Sequence, residues 1–394
     1  MFADKLGELL QENLLRFVRD REAPPGRAAD LSRIFIDGNE LINFASNDYL
    51  GLAGHSTLTR AAREAMETFG FGSGASRLLA GGTSLHGELE RAVASFKGTE
   101  SALVFNSGYA ANTGALPSLA EEGDTLFSDE LNHASIIDGC RLSRAKTVIY
   151  RHRDPDHLAE LLEREGGRRN VVVTDTVFSM DGDIAPLGDI YTVCARYNAR
   201  AGASSVLLYI DDAHGTGVLG DGKGALSHFG IGPEPWILQM GTFSKALGSF
   251  GAFIAAERDT VQWLLNTARG FIYSTALPAA VIAASMAALQ TVREEPLRVK
   301  KLWENRARLH EGLQAEEFDT LQSETPILPI VMETSGEALR FAEQLGKHRI
   351  YAPAIRPPTV AQPRIRLTVT AAHTFEDIDA LLGALASIRK GRRV

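Results

Sequence analysis

From about residue 100 to residue 256 the chain alternates short apolar runs with segments of helical period. No other feature constrains its fold as much. The runs 102–105, 125–128, 147–150, 171–174, 206–210, 236–240 and 252–255 are too apolar to leave one face in water. Strands of that kind are buried on both faces, and the amphipathic segments between them, such as 156–164 and 187–197, predict covering helices. The expectation is an α/β fold whose mainly parallel central sheet is covered by helices. Ligands of such sheets bind at the carboxyl ends of the strands.

Flanking regions complete the plan. Phe2, Leu6, Leu9, Leu10, Leu14 and Phe17 recur at helical spacing and predict an amphipathic helix that docks on the body or on a partner subunit. After Pro278 come helical patterns through 297–313, a strand-like 327–331, a helix at 336–345, a strand at 364–369 and a last helix at 375–388. This reads as a smaller α+β domain. The predicted organisation is an N-terminal helix and arm over 1–45, a large ligand-binding domain over 46–285 and a small C-terminal domain over 286–394.

Polar clusters follow the apolar runs. Run 236–240 leads into Gly241-Thr242-Phe243-Ser244-Lys245-Ala246-Leu247-Gly248, which sets one lysine among small and hydroxyl residues. A lysine at the end of a buried strand is disfavoured as ammonium, and its free amine becomes a Schiff-base nucleophile of the kind that holds pyridoxal phosphate (PLP). The octapeptide alone equally allows a loop lysine that snorkels to solvent. Run 206–210 leads into Asp211-Asp212-Ala213-His214. A carboxylate there can keep a pyridine nitrogen protonated, and His214 is placed to bond a ring oxygen. An acidic turn that caps a helix is the plainer alternative.

Asn106-Ser107-Gly108-Tyr109 follows run 102–105 and opens a helix, a suitable phosphate cup, although such turns are often purely structural. Thr242 could add a hydroxyl to the same phosphate. His133, at a later strand-to-helix junction, offers a flat ring to stack on a pyridine, or else caps a helix or sits in the core.

Composition excludes other classes. A net charge of -8 argues against a binder of nucleic acid, and the basic tail from Arg389 to Arg393 reads as a solvated end. Cys140 and Cys194 lie far apart without metal-ligand spacing, so neither a disulfide framework nor a metal site is expected, and a reducing cytoplasm fits. The longest apolar stretch, 276–289, is short for a membrane span and reads as a buried helix. Gly70-Phe71-Gly72-Ser73-Gly74 lacks the dinucleotide fingerprint, and Gly222-Lys223-Gly224 lacks the P-loop.

Seven segments together carry a resemblance. Asn47-Asp48-Tyr49-Leu50-Gly51-Leu52, Gly72-Ser73-Gly74-Ala75-Ser76-Arg77, Ser107-Gly108-Tyr109, Asn132-His133-Ala134-Ser135, Phe178-Ser179-Met180-Asp181-Gly182-Asp183, Asp211 to Gly217, and Thr242 to Lys245 resemble the α-oxoamine synthases. These are fold-type-I PLP acyltransferases that condense an amino acid with an acyl thioester and lose CO2.

The resemblance implies PLP as cofactor, with Lys245 as its anchor and acid/base. Asp211 is implied at the pyridine nitrogen, His214 at the 3′-oxygen, Ser179 beside that oxygen or the incoming thioester, and His133 on the ring face. Gly108, Tyr109 and Thr242 are implied at the phosphate, with Thr275 reaching the phosphate of a second subunit in a homodimer that shares its active sites. Asp175 stands where some members carry glutamate. Ala354-Ile355-Arg356-Pro357-Pro358-Thr359-Val360 resembles the branch that joins L-alanine to a pimeloyl thioester, on coenzyme A or acyl carrier protein, in biotin biosynthesis. Arg356, framed by prolines, suits a bidentate grip on the amino-acid carboxylate. Asn47 and Arg21 are further substrate candidates, Arg21 for the far end of the acyl chain. The alternatives are the 2-amino-3-ketobutyrate ligase branch or another α-oxoamine synthase, such as serine palmitoyltransferase or 5-aminolevulinate synthase, and an aminotransferase on the same fold.

Overall fold

The structure, a computed structural model, describes residues 2–23, 30–201 and 205–392. All seven apolar runs become strands of one sheet: β1 Ser101–Phe105, β2 Thr125–Asp129, β3 Lys146–Tyr150, β4 Asn170–Asp175, β5 Val206–Asp211, β6 Ile237–Thr242 and β7 Ala252–Ala256. Their order across the sheet is β1-β7-β6-β5-β4-β2-β3. Strands β2 to β6 are parallel, whereas β7 is antiparallel to both neighbours. Chain length explains the exception. Residues 243–251 between β6 and β7 are too few for the crossover that a parallel neighbour requires. Helix Gly108–Leu119 packs Ala111, Ala115 and Leu116 into a core shared with Leu103, Leu126, Val171 and Ile254.

The chain divides into two compact units, His55–Phe178 with Ile184–Val299, and Met1–Gly54 with Ser179–Asp183 and Lys300–Val394. The division falls at 299/300, whereas the sequence reading set it near 285. Helix Ala279–Glu294 lies along helix Ser56–Phe69 and so stays with the sheet. Its Ile282, Ser285, Ala288 and Leu289 are buried, and Ser285 pairs with Ser249 at 2.8 Å, as a buried helix would predict. Among the described residues no helix is long and apolar enough to cross a membrane.

The second unit holds two small sheets. Strand Asn39–Asn43 pairs with Arg33–Ile36 and, in parallel, with Ile350–Tyr351. Strand Arg364–Thr368 lies antiparallel between Ile327–Val331 and Ala354–Ile355. Phe44, Leu309, Leu328, Phe341, Leu367 and Leu381 form the core beneath them.

Two expectations need correction. The N-terminal helix spans Phe2–Gln11 and buries none of its residues, so it does not reach Leu14 and Phe17. Asn13 adopts a left-handed φ of 58°, a conformation that asparagine tolerates and that ends helices. Within the basic tail, helix Phe375–Arg392 continues through Arg389, which pairs with Glu317 at 2.6 Å. Arg393, the last basic residue of that tail, lies outside the described residues, as do residues 24–29 of the N-terminal arm.

Candidate active site

Asp211 ends β5 with its side chain buried. Its carboxylate accepts from Asn112 Nδ2 at 2.8 Å and from the N–H of Ala213 at 3.0 Å. Asn112 is fully buried on helix Gly108–Leu119. It also donates to Ser135 Oγ at 2.8 Å and accepts from the Tyr209 hydroxyl at 2.8 Å. Asp212 does a different job. Its carboxylate takes Lys97 at 2.7 Å, the Thr176 and Thr216 hydroxyls at 2.8 and 2.9 Å, and the N–H of Ala225 at 3.2 Å. Of the adjacent pair, Asp211 is held by helix Gly108–Leu119 and its own turn, whereas Asp212 is held by Lys97, two threonines and the N–H of Ala225. His214 follows in the buried turn that Asp212 anchors.

Lys245 sits in the loop between β6 and β7. Phe243, Ala246 and Leu247 are buried around it and hold the loop's backbone. Gly248, at φ 62°, lets the chain turn so that its N–H donates to the Lys245 carbonyl at 2.9 Å. Thr242, at the end of β6, faces the start of helix Gly108–Leu119. A Cβ on Gly108 would stand 3.0 Å from Thr242 Cγ2, so this approach admits glycine alone without movement. Ser107 caps the helix by accepting from the N–H of Ala110 at 3.1 Å. The N–H groups of Gly108 and Tyr109 lie in the first turn, where a helix offers no acceptor of its own. Asn106 donates to the Thr275 carbonyl at 2.8 Å, and exposed Thr275 bridges to Ser76.

His133 is the N-cap of helix Ala134–Leu142, accepting from the N–H of Ser135 at 3.2 Å through Nδ1. The helix-capping alternative therefore describes what its Nδ1 does here, while the residue stays exposed. Desolvation and Lys245 lower its pKa against the pull of Asp211, which places the three side chains within electrostatic reach. The His133 N–H donates to Asp175 Oδ2 at 2.6 Å. Asp211, Asn112, Ser135, His133 and Asp175 thus form one continuous chain of hydrogen bonds. Sequence reading missed Asn112. Its one signal was a buried-type helix face, Ala111 to Ala115, interrupted by an amide.

In the second unit, Arg366 connects two other candidates. Its Nε donates to the Ser179 carbonyl at 2.5 Å and its Nη2 to Asn47 Oδ1 at 3.1 Å. Arg366 was also missed, although Arg364-Ile365-Arg366 is an unusual charge density for a buried strand. Arg356 is buried elsewhere in the unit. Its guanidinium donates to the carbonyls of Asn13 and Leu15. Arg16 in turn donates to the Pro357 carbonyl at 2.9 Å, so residues 13–16 strap the Arg356 loop. Arg21 is exposed beside the bridge between Glu22 and Phe35.

The residues of the sheet unit fit a phosphorylated pyridine aldehyde. A carboxylate fixed by two donors, a helix start whose glycine lies close against Thr242 and a lysine loop are its chemical complements. A family model described as aminotransferase class I and II matches residues 39–385. The 8-amino-7-oxononanoate synthase of Geobacter sulfurreducens is 47% identical, over 98% of this chain and 97% of its own. That of Thermoanaerobacter pseudethanolicus is 44% identical, over 98% and 96%. The chain belongs to the 8-amino-7-oxononanoate synthase branch of the aminotransferase class I and II family. Among solved structures, serine palmitoyltransferase from S. paucimobilis, with a bound PLP–myriocin adduct, overlaps with a TM-score of 0.90 at 28% identity, covering 99% of this chain and 97% of its own. The 8-amino-7-oxononanoate synthase of Francisella tularensis overlaps with a TM-score of 0.76 at 27% identity, over 90% and 99%. This places the chain on the fold-type-I PLP transferase fold expected from its sequence.

Proposed function

We propose that the chain condenses L-alanine with a pimeloyl thioester to give 8-amino-7-oxononanoate, CO2 and a free thiol, the acyltransferase step of biotin biosynthesis. Near full-length identity of 44% and 47% to synthases of that name carries this reading. The higher structural overlap with serine palmitoyltransferase marks a shared fold, and its 28% identity argues less for a shared acyl chain.

PLP, when bound, supplies an electron sink for charge developing at the substrate Cα. Lys245 anchors it through Nζ and, once that amine is free, takes the Cα proton of L-alanine and later returns it. Asp211, fixed by Asn112 and Ala213, presents its carboxylate to the ring nitrogen, and His214 and Ser179 serve the ring 3′-oxygen. The N–H groups of Gly108 and Tyr109, with the Thr242 hydroxyl, receive the phosphate. His133 walls one ring face and donates to the thioester oxygen as negative charge builds there. Arg356 grips the amino-acid carboxylate after the carbonyls of Asn13 and Leu15 yield it. Arg366 keeps Asn47 oriented so that its amide N–H faces the substrate, and Arg21 meets the far end of the acyl chain. Thr275 completes the phosphate site of a second copy, which makes the working form a cytoplasmic homodimer. The thioester arrives on coenzyme A or acyl carrier protein.

The deciding assay compares thiol release from pimeloyl-CoA and acetyl-CoA, each with L-alanine and with glycine. Pimeloyl-CoA with L-alanine should be the preferred pair. A preference for glycine with acetyl-CoA would move the chain to the 2-amino-3-ketobutyrate ligase branch. Amino-group transfer to a keto acid without thiol release would make it an aminotransferase.

A further inference from the structure

Asp175 ends β4, Asp211 ends β5, and the two are register partners across parallel strands. Their surroundings differ from each other and from those of Asp212. Asp212 is neutralised by Lys97 and receives three more donors. Asp211 receives two donors, Asn112 and the N–H of Ala213. The Asp175 carboxyl is buried and receives one, the N–H of His133, with no ion pair among the described residues. Of two neighbouring carboxyls, the one with fewer donors and no ion pair is the one that burial most favours as the neutral acid.

We propose that Asp175 is a positioning residue that works as a neutral acid, clasping the His133 wall to the sheet while leaving the negative charge to Asp211. This rests on the reading of Asp211 and His133 as cofactor residues. The clasp is reciprocal. His133 donates its N–H to Asp175 Oδ2, and the Asp175 N–H donates to Asn132 Oδ1 at 2.8 Å. Asn132 then donates to the Val173 carbonyl at 2.9 Å, fastening residues 132–133 along β4. The groups facing the Asp175 carboxyl are Asp211 on β5, Asp129 and His133 from the β2 side, Tyr150 at the end of β3 and Lys245 after β6. Burial pushes this carboxyl well above the usual range. The Asp211 charge raises it further, and the His133 N–H and Lys245 only partly offset the rise. A charged Asp175 would repel the Asp211 carboxylate across one strand spacing, a cost that the neutral acid avoids.

Asp175→Asn and Asp175→Ala test this. The first keeps the acceptor and stays neutral; the second removes the clasp. In melting of the cofactor-free proteins from ~pH 5 to ~pH 9, the wild type should lose stability relative to Asp175→Asn as pH rises, because its folded carboxyl binds a proton that the unfolded chain has already released. In PLP titrations followed by fluorescence, Asp175→Asn should bind within about twofold of wild type and Asp175→Ala on the order of tenfold more weakly. A melting difference that is flat with pH, or an asparagine variant as impaired in PLP binding as the alanine variant, overturns the proposal. If no form of the protein binds PLP, the functional reading fails instead, and the melting comparison alone decides the protonation of Asp175.

Discussion

Asn112 donates to Asp211 Oδ2 at 2.8 Å from the middle of a helix, with its own side-chain oxygen held by Tyr209. Replacing it with leucine strips one donor from Asp211 and leaves the Tyr209 hydroxyl buried without its acceptor. Asn112→Leu should therefore lower folding stability by about 2–4 kcal/mol. Its PLP affinity should fall as well. Denaturant unfolding and cofactor titration measure the two effects separately.

Purified protein should be yellow. Borohydride should bleach it and leave the reduced cofactor on the peptide that contains Lys245, while Lys245→Ala should yield no such peptide. Peptide mass spectrometry reads this directly, and a label on any other lysine would remove Lys245 from its proposed role.

At Gly108 the test is steric. A Cβ there stands 3.0 Å from Thr242 Cγ2, so Gly108→Ala requires the Thr242 side chain or the helix start to give by a few tenths of an ångström. Phosphate affinity should drop on the order of tenfold, or about 1.4 kcal/mol. Titrating the variant with PLP and with pyridoxal separates a phosphate effect from a general one, because only PLP should suffer.

Arg366→Lys keeps a charge but cannot reach the Ser179 carbonyl and the Asn47 oxygen together. The KM for L-alanine should rise on the order of tenfold, equivalent to about 1.4 kcal/mol, with PLP affinity unchanged. Steady-state kinetics at saturating thioester gives the comparison.

His373 sets an acid limit on the second unit. Its Nδ1 accepts from the Thr370 N–H at 3.0 Å, its Nε2 meets the Asn43 carbonyl at 3.1 Å, and its ring stacks on Phe44. A proton on Nδ1 would face another N–H, and burial lowers the pKa to about 4. The neutral ring's contribution is complete above the unfolded value of about 6.5 and fades as pH falls toward the folded value. Denaturation midpoints should drop between those limits, and His373→Gln should flatten that slope even if it is less stable throughout.

The central strands were legible because they lie buried on both faces, so that β4, Asn170–Asp175, reads as a strand without knowledge of its neighbours. Run 147–150 was expected to be buried in the same way, but β3 is an edge strand and leaves Lys146, Thr147 and Ile149 exposed. The placement of Lys245, Asp211 and His214 at or just after strand ends was legible for a related reason: each closely follows an apolar run. The pairing of Asp175 with Asp211 was not, because it depends on β4 and β5 being adjacent, and strand order is not chain order. Arg366 and Asn47 lie far apart in sequence, and nothing local to either announces the other. The helix stop at Asn13 was hidden because apolar spacing continues past it and only backbone conformation records the turn.

Strand pairing in the second unit has a consequence for synthesis. Ile42 pairs with Ile350, so the first strands cannot complete their sheet until nearly the whole chain exists. At the usual pace of translation, that is a wait of roughly 15 to 60 s. Throughout it, the edge of strand Asn39–Asn43 is open to any other chain with a complementary strand, including one emerging from the next ribosome on the same message. Yield of the native protein should therefore depend on how crowded the ribosomes are, with slower initiation favouring correct pairing.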